Sequence, residues 1–266
     1  GYMLITVFAL CALLGAIAGT LAGLLGIGGG LVIVPALVYL LPQLGVEPIL
    51  VMSMALGTSL AAIVITSSSA MLAHHRNANI PWHITKPLML FVAIGSFAGA
   101  FIADLLSPQA LTNFFAGAVM VLAAYMLFSI RSERNREMPS VGILQFVALL
   151  VGIVASLMGM AGGAILVPVL NYFGVSLRHS IGVATVCGIL VAISGATGYI
   201  YTGYNAAGLP VWSLGYVYLP ALLGIVITSS IFAPVGVKLA SKLPVKALKK
   251  VFAVFLILVA IEMMYN

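Results

Sequence analysis

The sequence predicts an all-α membrane protein of two inverted repeats with about five segments each. That makes about eight full transmembrane helices plus two short re-entrant half-helices. Three observations carry this reading. First, 63% of the 266 residues are hydrophobic and 6% are charged, with a mean hydropathy of +1.26. Apolar stretches of about 20 residues recur, enough to cross roughly 30 Å of hydrocarbon. Second, the phrase GLLGIGGGLVIVPAL at 23–37 returns as SLMGMAGGAILVPVL at 156–170. Third, the Lys and Arg residues fall on one side only if the second half is inverted. Continuous apolar runs argue against a β-barrel, whose short strands alternate apolar and polar residues.

The first half yields segments at about 3–25, 31–42, 49–73, 84–106 and 110–130. The opening segment lacks a basic lead and a polar break, so it reads as a mature first helix and not a cleaved signal peptide. The second is too short to span at about 1.5 Å per residue. It follows the glycine run directly, as a half-helix would. The third is rich in hydroxyls: Thr58, Ser59, Ser67, Ser68 and Ser69. Trp82 opens the fourth as an interfacial anchor. The second half yields about 141–158, 164–174, 180–203, 214–237 and 246–265, with Trp212 opening the ninth segment. Between the halves lies RSERNREMPS, 131–140. The chain therefore divides into a repeat at 1–130, a cytoplasmic linker at 131–140 and a repeat at 141–266.

At an offset of 133 residues the halves match at Gly19/Gly152, Gly26/Gly159, Gly29/Gly162, Gly30/Gly163, Pro35/Pro168 and Leu37/Leu170, among others. SMALGTSLAAIVITSS at 53–68 resembles SIGVATVCGILVAISG at 180–195, which pairs Thr58 with Thr185. If each glycine run is only a kink, each half crosses four times and basic residues appear on both sides. If the chain turns back at the glycines, all 11 Lys and Arg share one side. The positive-inside rule selects the second arrangement and makes that side cytoplasmic, with both termini outside. Glu47, Asp104 and Glu262 then lie outside. The chain is expected to be a multi-pass membrane protein.

The glycine runs have a chemical reading. The start of a helix exposes about four backbone N–H groups and the positive end of its dipole, which suits an anion. Glycine lets the turn take positive φ and lets a ligand or another backbone come close. Non-helical backbone at that depth must line a cavity or be buried in protein. The alternative is close helix packing through small residues. The candidate substrate-binding residues are Gly26, Gly28, Gly29, Gly30, Thr58 and Ser59 in the first half. Gly159, Gly162, Gly163 and Thr185 complete the set from the second. For each hydroxyl the alternative is a bond to its own helix four residues back.

What is absent also informs. No Asp, Glu, Lys or Arg falls near the middle of a span, and buried carboxylates are the usual proton relays. His74, His75 and Arg76 sit at a helix end, as a solvated cluster or as a mouth that gathers anions. Cys11 and Cys187 read as small packing residues. No catalytic or metal site is expected, because the histidines lie far from the midspan hydroxyls. No cofactor is expected either.

AGLLGIGGGLVIVPAL with ALGTSLA, and GMAGGAILVPVL with GVATVCG, resemble the TauE/SafE family of sulfite-exporter-like membrane permeases. The resemblance covers essentially the whole chain. It implies transport of small sulfur-containing or organic anions, such as sulfite or organosulfonates, across a prokaryotic inner membrane. The second copy departs from the pattern: Ala161 stands where the first has a glycine, and GVATV stands for GTSL. The alternative function is an H⁺- or Na⁺-coupled importer of a small carboxylate or other anion. The partners expected are a small anionic substrate and the lipid bilayer, with a homo-oligomer left open. Nucleic acid is not among them, because the net charge of +6 belongs to topology.

Overall fold

A computed structural model of the chain describes residues 2–25, 29–76, 80–128 and 137–265, with side chains for all of these but 69–76, 237 and 245. The described residues form ten helices and one small hairpin. The first half holds α1 (Tyr2–Leu25), α2 (Gly30–Gln43), α3 (Pro48–Arg76), α4 (Trp82–Leu105) and α5 (Pro108–Phe128). The second holds α6 (Val141–Met158), α7 (Gly163–Tyr172), α8 (Leu177–Gly203), α9 (Leu219–Ala240) and α10 (Val245–Tyr265). Between α8 and α9 lie β1 (Ser213–Leu214) and β2 (Val217–Tyr218).

Seven of these helices are long and apolar enough to cross a membrane: α1, α3 over Pro48–Ser68, α4, α5, α6, α8 and α9. The sequence led us to expect eight. The difference is α10, which has 21 residues. Lys249, Lys250 and Glu262 confine its uncharged run to Val251–Ile261. With 14 and 10 residues, α2 and α7 cover only about 21 and 15 Å at about 1.5 Å per residue. Both are short apolar helices, as expected.

The short helices end alike. Val46 N–H donates to the Leu41 carbonyl at 3.2 Å, and Val175 N–H to the Leu170 carbonyl at 3.0 Å. A glycine precedes each valine, and each valine is buried. The long helix of each half begins two residues later, at Pro48 and Leu177. The two halves thus use one local design, with α2 longer than α7 by about one turn.

Packing centres on α3 and α8. Buried residues make up 72% of the apolar window of α3 and 67% of that of α8, against 28–44% in the other five. A polar lipid-free core is not needed for this; small residues let backbones touch. Gly57 lies against Tyr199, and Leu60 against Gly195, so α3 and α8 run antiparallel. Around them, α1 packs on α9 and α6 on α4. Gly15 meets Ile225 and Thr228, and Gly19 meets Ser229. On the other side Gly95 meets Leu149, and Gly152 meets Ser96. Gly19 and Gly152 are 133 residues apart, and so are Ser96 and Ser229. The contact that joins α1 to α9 is therefore repeated between α6 and α4.

The ninth segment needs correction. It was expected as helix from 214, but helix begins at Leu219. Ser213 pairs with Tyr218, and Leu214 with Val217, in an antiparallel ladder. Gly215 takes φ 57 in the turn, which suits a two-residue hairpin. Val217 and Tyr218 are residue types that favour strands. Of the expected linker at 131–140, residues 131–136 lie outside the described residues, as do the side chains of His74, His75, Arg76 and Ser69.

Candidate functional site

The two glycine phrases meet. A methyl group at Gly30 would collide with the Gly159 carbonyl oxygen and with the Met160 backbone. Gly159 in turn sits against Val34 of α2 and Leu56 of α3. It ends α6 with φ 65. Met160 N–H donates back to the Ala155 carbonyl at 3.1 Å, the six-to-one bond of a Schellman cap. Gly162 follows with φ 85 and caps the start of α7. An L side chain at either position is strained, because left-handed backbone brings its Cβ onto the next carbonyl. The break between α6 and α7 therefore needs glycine on conformational grounds at 159 and 162. At Gly30 it needs glycine on steric grounds.

One hydroxyl joins this junction. Ser59 Oγ, fully buried, donates to the Gly159 carbonyl oxygen at 2.7 Å. A helix that ends in a left-handed residue leaves carbonyls without partners, and Ser59 satisfies one across the two halves. Gly188 of α8 meets Ala161 from the other side. Gly163 opens α7 with Ala184 as its nearest neighbour. Gly29 is the N-cap of α2, and its carbonyl accepts from Val32 and Ile33 N–H. Gly26 and Gly28 lie outside the described residues.

The threonine pair is not part of this junction. Thr58 is fully buried, but it faces the hairpin, where its Oγ1 accepts from Tyr218 N–H at 3.0 Å. Thr185 Oγ1 donates to the Ile181 carbonyl of its own helix at 2.7 Å. Ser68 and Thr197 bond their own helices in the same way. Helical hydroxyls in apolar surroundings commonly do so. Of the hydroxyls singled out from the sequence, Ser59 alone touches the glycine turns among the described residues.

A family model for the sulfite exporter TauE/SafE matches residues 11–263. The chain belongs to the TauE/SafE family. A probable membrane transporter protein of Haemophilus influenzae is 42% identical over 97% of this chain and 98% of its own length. The probable membrane transporter protein YdhB of Bacillus subtilis is 31% identical, covering 90% and 91%. A probable membrane transporter protein of Methanocaldococcus jannaschii is 24% identical over 89% and 88%. No solved structure matches the chain significantly. The chain is a multi-pass membrane transporter of this family, and the names of the family and of these relatives point to a transporter rather than an enzyme.

Four features of this TauE/SafE transporter were not read from its sequence. Tyr199 is fully buried, and its hydroxyl donates to the Ser156 carbonyl at 3.0 Å. A tyrosine in a run of small residues, SGATGYIYTG at 194–203, was the available signal. Ser96 Oγ donates to the Val191 carbonyl at 2.6 Å and ties α4 to α8. Ser156 Oγ, close to Gly99 and Gly195, has no partner among the described residues.

The hairpin is a fourth such feature. Tyr216 N–H donates to the Tyr199 carbonyl at 3.3 Å, and Tyr216 Oη donates to Asp104 at 3.3 Å. Burial raises the Tyr216 phenol above the usual tyrosine range, and the neighbouring carboxylate adds to the rise. Gly208 lies against the Glu47 carboxylate. The loop thus closes over the ends of α3, α4 and α8 on one face of the molecule.

Proposed function

We propose that the transporter carries a small sulfur-containing or organic anion, such as sulfite or an organosulfonate, past the junction of the two glycine turns. One observation carries the reading: Gly30 at the start of α2 abuts the Gly159 carbonyl beside the break that leads into α7. The start of α2 thus meets the turn at Gly159 and Met160 that leads out of α6 toward α7. The first amides of α2 have no partner within the helix, and its dipole presents its positive end there; the start of α7 would add a second such end. Transporters commonly bind cargo at such discontinuous helices. The hydroxyl of Ser59 and Gly29, Gly30, Gly159, Gly162 and Gly163 would form the lining.

The two repeats, 1–130 and 141–266, are read as inverted about a two-fold axis in the membrane plane. Equivalent helices α3 and α8 run antiparallel, which supports this. So does the first turn of α5 beside the last turns of α10. Rocking of one repeat on the other would then alternate access. The side that holds the linker is taken as the cytoplasm of a prokaryotic cell and the opposite side as the home of both termini. An interior-negative potential favours exit of an anion by about 2.3 kcal/mol per charge per 100 mV, so export needs no coupled ion.

The experiment is a liposome flux panel. Sulfite, sulfate, thiosulfate, alkylsulfonates and small carboxylates are each offered with and without pH and Na⁺ gradients. Saturable flux of a sulfur anion, driven by voltage alone, is expected. Flux of no anion in the panel overturns the reading. Flux that needs a pH or Na⁺ gradient replaces it with coupled import.

A further inference from the structure

A crevice of about 810 Å³ runs along the flank of α2, between it and the facing ends of α5 and α10. Its inner wall follows α2 from Leu31 through Pro35 and Tyr39 to Pro42. The opposite face of the same helix is occupied: Ile33, Val34, Leu37 and Leu41 are each 3% exposed or less. The crevice lies along the other flank of α2, where Pro48, Val51 and Met52 of α3 also border it.

Three properties describe what fits there. The first is depth. Leu31 to Pro42 spans eleven residues, or about 16 Å at about 1.5 Å per residue. That is close to one leaflet of a hydrocarbon core roughly 30 Å thick. The second is polarity. Leucine, valine, proline, methionine and phenylalanine dominate the walls, while Gln109, Thr112 and Glu262 gather at helix ends. A dry apolar space of this kind takes apolar matter, not water. The third is charge. Among the described residues Glu262 is the only charged side chain in the lining, and it is exposed. A carboxylate there repels an anionic cargo and attracts an ammonium.

We propose that the crevice is a binding site for one phospholipid with an ethanolamine head group. Its acyl chain lies along Val32, Pro35 and Tyr39, and its ammonium meets the Glu262 carboxylate. The lipid fills the volume that a half-helix leaves unfilled in one leaflet. It also buttresses α2, whose first residue forms half of the glycine junction. This inference does not depend on which anion is carried.

The test is native mass spectrometry of the full chain after stepwise delipidation, with return of ethanolamine- or glycerol-headed phospholipid. Retention of one ethanolamine lipid per chain is expected. Ala36→Trp, which fills the crevice, should lose it. Glu262→Gln lies on the exposed rim and leaves the packing alone, so it decides the matter even if Ala36→Trp fails to fold. It should keep a lipid but lose a preference for the ethanolamine head of about two- to fivefold, the range of exposed ion pairs. No retained lipid, or equal retention of both head groups by the unmodified chain, overturns the proposal. So does an unchanged preference in Glu262→Gln. Displacement of the lipid by a long-chain alkylsulfonate that is itself transported overturns it in favour of a cargo passage.

Discussion

Ser59 on α3 donates a 2.7 Å hydrogen bond to the carbonyl oxygen of Gly159, so a helix of the first half completes the cap of a helix in the second. Both groups are buried. Ser59→Ala leaves that carbonyl unpaired, at a cost of about 1–3 kcal/mol. Thermal unfolding in detergent should show the loss as a lower Tm. Flux should fall further than stability does, because the turn at 159–163 loses its anchor. An unchanged Tm would mean that the bond is not formed in the folded chain.

Gly30 and Gly117 make a matched pair of tests. A Cβ at Gly30 strikes the Gly159 backbone, whereas one at Gly117 meets nothing within 4 Å. Gly30→Ala should cost about 1–3 kcal/mol, as overpacking against unyielding atoms does, and should abolish flux. Gly117→Ala should leave flux intact and raise stability by up to about 1 kcal/mol, since glycine inside a helix is the weaker choice. Equal flux in the two variants would remove the glycine junction from the transport path.

Ser156 should behave against intuition. Its Oγ is buried without a partner among the described residues, which costs about 1–3 kcal/mol by comparison with a paired hydroxyl. Ser156→Ala should therefore be neutral or stabilising by about 1 kcal/mol. Tyr199→Phe removes the donor to the Ser156 carbonyl and should destabilise by a similar amount. Denaturation of both variants beside the parent checks the opposite signs.

Tyr216 supplies a pH test. Its phenol is raised in the folded chain by burial and by Asp104, so folding favours the protonated form. The stabilisation is fully present below the unfolded pKa of about 10. It is lost as pH rises through the higher folded value. At neutral pH Tyr216→Phe should lose about 1 kcal/mol, the worth of one hydrogen bond. At strongly alkaline pH the gap should close, because the variant has no phenol to ionise. A constant gap across that range would separate the phenol from hairpin stability.

Much of this architecture was legible in the residues. Apolar length marked the long helices, and glycine runs marked where they break. Even the half-helices could be found, because a phrase that repeats is easier to trust than one that occurs once. Two kinds of error remained. The hairpin sequence VWSLGYVY at 211–218 is as apolar as the helix after it, so hydropathy does not separate them; only its strand-favouring residues and Gly215 do. The threonines were paired by alignment alone. Alignment puts Thr185 opposite Thr58, but a helical hydroxyl takes the nearest free acceptor, and for Thr185 that is the Ile181 carbonyl. Ser59 differs because a left-handed cap brings a foreign carbonyl within reach. Such a contact depends on tertiary approach, which a single sequence does not encode locally.

The hairpin carries a consequence for the working cycle. Two interchangeable halves, each able to copy the other's posture, would rest equally often in either orientation. The loop at 204–218 belongs to one half only, and its bonds to Thr58, Tyr199 and Asp104 exist at one end of the molecule. If the halves rock as proposed, the two bonds that cross between them, to Thr58 and Asp104, at about 1 kcal/mol each would tilt a two-state balance by roughly thirtyfold. Under the proposed cycle the transporter would then have a home position between turnovers, set by a loop that is longer in the second half than its counterpart in the first.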